Sequence, residues 1–211
     1  MFLSLKPFSR SDDEVSKRRS VLLATDLSCR CDRALDRAVA LARAWAAELV
    51  VVHAVSEVEA IDDAPSWRRG ASVEALATQR LRADLAGVAD VPMQLVVERK
   101  PALELIVETA ERLGSELIIT GVARDETLGR VLLGTTVERL LRRSAVPVLV
   151  VRSRARGDYR NIVVGSDLSP GSSAALDVAR RLWPSASVRA LHAFEVALES
   201  RMADPMAARD A

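Results

Sequence analysis

Cysteine is nearly absent from this chain of 211 residues: Cys29 and Cys31 are its two, too close for an ordinary disulfide and too few for a framework. A disulfide-stapled fold is excluded and a reducing compartment fits, so the chain reads as soluble and cytoplasmic. Neither sign of charge dominates. Thirty basic residues stand against twenty-nine acidic ones, a formal charge of +1, so no general attraction to nucleic acid or to an anionic membrane is expected. Long apolar runs are missing too. The start, with Phe2, Leu3 and Leu5, is cut by Lys6 and Pro7 and is too short for a signal peptide, and no later run approaches the roughly 20 residues of a membrane span. Aromatics are 3% of residues, and Trp45, Trp67 and Trp183 read as packing residues on helices. Neither His53 nor His192 has a Ser or Cys nucleophile motif near it, which speaks against catalysis.

What is present is an ordinary globular composition, 49% hydrophobic and 28% charged, enough for one full α/β core and something more. Residues 1–19 have mixed charge and no periodicity and read as a mobile leader. Ser20 to Thr25 reads as a short apolar strand, followed by Asp26-Leu27-Ser28 and then by Ala34, Leu35, Ala38, Val39, Leu41 and Ala42 at helical spacing. A second strand is expected at Glu48–Ala54, an acidic turn at Asp62-Asp63-Ala64-Pro65, a helix from Ser66 to Leu85 and a third strand at Met93–Glu98. Pro101 opens a further helix that Gly114 stops. Alternation of this kind predicts an open five-stranded parallel sheet with helices on both faces, Rossmann-like, in the order 3-2-1-4-5.

The stretch Glu116–Arg152 is the most informative. Leu117-Ile118-Ile119 ends at Thr120-Gly121, where glycine permits an unusual backbone exit from a strand. Val137, Leu140 and Leu141 share a helical face, and Thr135 with Glu138 has the spacing of a capping box, so a helix starts near Thr135. The run Val146, Val148, Val150, Val151 reads as a strand buried on both faces. The loop from Gly121 to Thr135 then joins the carboxyl end of a parallel strand to the amino end of a helix, where backbone N–H groups attract anions.

Residues 153–159 are polar and read as a linker. Beyond them the sequence repeats: Ile162-Val163-Val164-Gly165-Ser166-Asp167-Leu168-Ser169 echoes Val21 to Ser28, with Asp167 placed 141 residues after Asp26 (167 − 26). Ala175-Leu176-Asp177 lies at the same offset from Ala34-Leu35-Asp36, and His192-Ala193 echoes His53-Ala54 two residues out of step. The second copy spans 160–196 and covers a strand, a helix and a second strand, with 197–211 left as a polar tail. Such a half repeat cannot enclose its own core, so Val163, Leu176 and Leu191 require a covering surface. A homodimer, or pairing between the repeats of one chain, would supply it.

Asp26 and the run Gly121–Arg152 together resemble the universal stress protein family in tandem form, with one whole domain at 20–152 and a truncated second at 160–196. The ending Leu-Leu-Gly-Thr-Thr-Val-Glu-Arg-Leu-Leu-Arg-Arg-Ser-Ala-Val-Pro-Val-Leu-Val-Val-Arg carries most of the likeness. The resemblance implies a non-catalytic stress-response module that binds ATP or another adenine nucleotide at the ends of strands 1 and 4. It implies that Gly121 and Gly134 let the backbone approach phosphates, that Thr135 and its neighbour Thr136 touch them, and that Asp26, with His53 beside it, holds the nucleoside. Arg124 replaces the second glycine of the family's loop, so either the loop reshapes or its guanidinium pairs with phosphate.

Other readings stand beside these. Thr135 and Glu138 serve as a helix cap, Asp26 as a turn residue, and the histidines as structural residues. Cys29 and Cys31, near a helix start, admit redox chemistry or a soft metal. The alternative functions are a hydrolase-like enzyme with weak ATPase activity, opposed by Asp-Leu-Ser standing where a Ser-Gly-Gly-x-Asp-Ser loop would be expected, and a protein-binding scaffold without nucleotide.

Overall fold

The computed structural model describes residues 19–29, 31–55, 72–122 and 135–194. The leader, the acidic turn at 62–65, residues 66–71 with Trp67, the loop residues Arg124 and Gly134, and the tail from residue 195 on lie outside the described residues. The helix expected from Ser66 to Leu85 begins instead at Val73, because Ser72 is extended and caps it. The chain divides into two units at Arg156/Gly157.

In the first unit, four parallel pairings order five strands β3-β2-β1-β4-β5: β1 Ser20–Ala24, β2 Glu48–Ala54, β3 Met93–Glu98, β4 Leu117–Gly121 and β5 Val148–Val151. This is the α/β sheet that the alternating apolar segments predict. Its centre is aliphatic and dry: Val21, Leu22, Val50, Val51, Ile118 and Ile119 are all fully buried. At about 25 cal/mol per Å² of apolar surface removed from water, such strands supply much of the drive for folding.

Among the described residues four helices cover the sheet: α1 Asp32–Trp45, α2 Val73–Asp84, α3 Ala102–Leu113 and α4 Thr135–Arg143. One face packs Leu22, Val50, Val52 and Ile118 against Leu105, Ile106 and Ala110 of α3 and Leu140 of α4. Successive strand residues point to opposite faces, so Val21, Leu23 and Val51 face the other way. Local chemistry sets the helix ends: Ser72 Oγ accepts from Ala75 N (3.1 Å) at the start of α2, and Gly114 takes the left-handed conformation (φ 62°) that ends α3.

The amino ends of the two central strands are tied together. Arg19 donates to Glu116 through Nε and Nη2 (3.1 and 2.8 Å) while its guanidinium lies 4.7 Å over the Trp45 ring. Ser20 Oγ meets Ser115 Oγ at 3.2 Å in the buried interior. This clamp fixes the register in which the carboxyl ends of β1 and β4 come level.

One expectation is corrected. β5 holds the edge position that the expected order gives it, but Val148, Leu149 and Val150 are half-buried rather than buried on both faces.

The second unit holds β6 Asn161–Ser166, α5 Pro170–Leu182 and β7 Ser187–His192. The two strands pair in parallel from Asn161↔Ser187 to Ser166↔His192. Leu182, Ala179 and Val164 are buried, and the Tyr159 and Trp183 rings meet edge to face at 5.5 Å. Val163 and Leu191 are 64% and 62% exposed. At the repeat offsets they correspond to Leu22 and Val52, which α3 and α4 bury completely in the first unit.

Candidate functional site

Where β1 ends, every polar group of Thr25 is engaged. Its N–H donates to Val52 O (3.0 Å), its carbonyl accepts from His53 Nδ1 (2.9 Å), and its Oγ1 accepts from Leu27 N (3.0 Å). The chain then reverses through Leu27 at φ 59°, a left-handed conformation that costs a non-glycine residue about 1 kcal/mol and marks functional sites when it persists. Asp26 closes the turn: its Oδ1 accepts from Ser28 N (2.9 Å) and from Cys31 Sγ (3.2 Å). Burial, the largest cause, pushes the Cys31 thiol above its usual range, and the Asp26 side chain adds to the rise. Cys31 therefore stays a protonated donor. It also holds the cap position of α1 without a side-chain capping bond.

Gly121 lies against this corner. The β1–β4 register ends at Ala24↔Thr120, so the next pair across the ladder is Thr25 beside Gly121. The reason for glycine differs from the one its sequence suggests: Gly121 is the last residue of β4, paired with Val151, and the left-handed residues among the described ones of the first unit are Leu27, Ala46 and Gly114. What it contributes is the lack of a side chain beside the Asp26 turn.

His53 is buried and bonds to the corner's backbone. A carbonyl can only accept, so Nδ1 carries the proton of this bond. Thr135 and Thr136 are the first two residues of α4 and are exposed. A helix between two parallel neighbours runs back against them, so α4 begins at the carboxyl edge of the sheet, the edge that carries Asp26 and Gly121. Buried Val137 and Leu140 hold it there. Thr135 and Glu138 both lie within α4 as described; Arg124 and Gly134 lie outside the described residues.

A cleft of about 240 Å³ borders the turn on the side of α2. Leu23, Val51 and Leu81 form its apolar floor, and Ser28, Cys31 and Arg80 stand among its polar lining. Ser28 Oγ is buried there with no hydrogen-bond partner, an arrangement that costs about 1–3 kcal/mol unless a ligand or water bonds to it. This cavity lies on the opposite face of β1 from α3 and α4, whereas the sequence points to the crevice between β1 and β4. The Asp26 turn borders both.

Sequence reasoning missed Cys31 as a partner of Asp26, and Thr25 as the hub of the corner. The repeat holds a signal for both, since Ser166 and Ser172 occupy the equivalent places. Among the described residues no group of three His, Cys, Asp or Glu side chains could hold a metal ion, and no described helix is long and apolar enough to cross a membrane.

Comparison with known proteins agrees with this fold. A universal stress protein of Thermus aquaticus, described as lying in the 3′ region of a QAH/OAS sulfhydrylase, is 29% identical over 136 residues, which is 64% of this chain and 98% of that protein. The structure of UspA from Lactobacillus plantarum is 19% identical and covers 65% of this chain and 99% of its own, with a TM-score of 0.51, a likeness of fold. A universal stress protein solved in complex with cAMP is 29% identical over 65% of this chain and 98% of its own, with a TM-score of 0.43. The profile of the universal stress protein family matches residues 17–152, and the chain belongs to that family.

Proposed function

We propose that this protein is a non-catalytic stress-response module of the cytoplasm whose first unit binds ATP or another adenine nucleotide at the carboxyl ends of β1 and β4. The observation that carries the reading is the register: Ala24 pairs with Thr120, which brings the Asp26 turn and the bare Gly121 side by side at the reversal of strand order, where ligands of open parallel sheets settle. In this reading the Asp26 turn receives the nucleoside. The phosphates run toward the amino end of α4, where Gly134, Thr135, Thr136 and the first N–H groups receive them. Arg124 stands in for a loop glycine and pairs with phosphate through its guanidinium. His53 holds the corner rather than the ligand.

We further read residues 160–196 as belonging to a second repeat, after a linker at 153–159. Support comes from the matching turns: Leu168 N donates to Ser166 Oγ (3.1 Å), Ser169 N to Asp167 Oδ1 (3.0 Å), and His192 Nδ1 meets Ser166 O (2.7 Å), each the counterpart of a bond at Thr25, Asp26 or His53. The open edge of β5 and the bare Val163 and Leu191 favour a homodimer.

Incubation of the purified protein with ATP, followed by chromatography for bound nucleotide and released phosphate, tests the reading. Retention without turnover is expected. Turnover would favour a hydrolase-like enzyme, and neither retention nor turnover a scaffold. Arg124→Gly tests the loop: unchanged retention would remove the role given to Arg124.

A further inference from the structure

Four residues of the second unit share one face of its sheet. The register pairs Val163 with Arg189 and Gly165 with Leu191, and alternate residues of a strand point the same way. The same ladder positions of the first unit hold Leu22 with Val50 and Ala24 with Val52, all packed beneath Leu105, Ile106 and Ala110 of α3 and Leu140 of α4. In the second unit this patch is open: Val163 and Leu191 are large apolar side chains left exposed, and Arg189 is exposed with them.

Two exchanges decide what can cover it. Arg189 stands where Val50 is fully buried, so an apolar pair of helices like α3 and α4 would bury an unpaired charge, a costly arrangement. Gly165 stands where the first unit has Ala24, and a Cβ added there would meet nothing within 4 Å, which leaves a hollow beside the raised Leu191. A knob next to a hollow fits a copy of itself turned about a twofold axis along the strands. β6 of one copy then lies over β7 of the other. Each Leu191 drops onto the bare Gly165 of the second copy, and each Val163 rests on the aliphatic stem of the second copy's Arg189. The two guanidinium groups stay apart: β7 has β6 as its one neighbour among the described strands, so each reaches water over the outer edge of β7.

We infer that this face is a self-association surface, on which two copies of the chain stack their second units, Leu191 into Gly165, as a two-layer sheet sandwich. The inference rests on the reading of the protein as a homodimer and goes beyond it by placing the contact on this face rather than on the edge of β5. Two strands of six residues bury less than the roughly 800 Å² per copy of a standard interface, so the pairing is weak and reverses on dilution.

Sedimentation equilibrium of the full chain, beside a dilution series followed by methyl NMR, tests this. A monomer–dimer equilibrium is expected, with the Val163 and Leu191 methyl signals moving in step with it and those of Leu149 and Val150 on β5 staying still. Gly165→Leu has room in the single chain and fills the hollow, so it should weaken association at least about 10-fold. Leu191→Ser removes the knob from an exposed position and should do the same should the first variant fold poorly. Association by a folded variant equal to that of the wild type overturns the contact. A dimer that moves the β5 methyls instead overturns this surface and leaves the homodimer standing. A chain that stays monomeric at every concentration overturns both, and in that monomer Val163 methyls shielded from a soluble paramagnetic agent would show that the chain covers its own face.

Discussion

His53 Nδ1 lies 2.9 Å from the carbonyl oxygen of Thr25, a bond from the second strand of the sheet to the turn at the end of the first. It closes the corner from β2 while β4 flanks it from the other side. Replacing His53 by Ala leaves a buried carbonyl short of its donor and is expected to cost about 2 kcal/mol. Chemical denaturation measures this, and ¹⁵N spectra of the ring should find the proton on Nδ1. His192→Ala, at an exposed ring with the same bond, should cost less.

The two thiols should react very differently. Cys29 is exposed, whereas Cys31 is partly buried, donates to Asp26, and has its pKa raised by burial. Iodoacetamide at neutral pH should label Cys29 well before Cys31, as read by peptide mass spectrometry. Cys31→Ser, which keeps a donor as Ser172 does, should hold the Asp26 turn, while Cys31→Ala should weaken ligand retention.

Asp167 should titrate near pH 2. Its folded pKa is depressed, so the stability it adds is fully present above the unfolded value near 3.9 and is lost as pH falls from about 4 toward 2. Carboxyl NMR shifts measure the midpoint directly. Asp167→Asn should remove that part of the acid sensitivity.

Leu140 is 1% exposed in the cluster that joins α4 to the sheet. Leu140→Ala should destabilise the protein by about 2–5 kcal/mol through lost burial and the cavity left behind. The amides of Thr135 and Thr136 should exchange faster with solvent as α4 loosens. Leu141→Ala, at a side chain 46% exposed, should change stability far less.

Much of this was legible in the sequence, because burial on both faces of a parallel sheet writes itself as aliphatic runs. Val21-Leu22-Leu23, Leu49-Val50-Val51-Val52 and Leu117-Ile118-Ile119 mark the three central strands, and Pro101 and Gly114 bracket α3. The burial of the edge strand misled for the same reason: Val148-Leu149-Val150 is as apolar as a central strand, yet these residues are half-buried. Of the site, Asp26 and its recurrence as Asp167 could be read directly. The left-handed Leu27 could not, because leucine has no propensity for that conformation and its backbone is set by bonds to Thr25 and Asp26 on either side. The pairing of Asp26 with Cys31 was hidden because neither residue announces a turn contact five positions away.

The central claim is that the Asp26 corner holds the nucleoside of an adenine nucleotide, and isothermal titration of the full chain with ATP tests it most directly. The account predicts saturable binding that Asp26→Ala weakens by at least about 10-fold, the loss of a hydrogen bond to a charged group. Asp167→Ala, which removes the same turn from the second unit, should leave ATP binding unchanged. An absence of saturable ATP binding to the wild-type chain, or equal affinities for wild type and a folded Asp26→Ala variant, would contradict it.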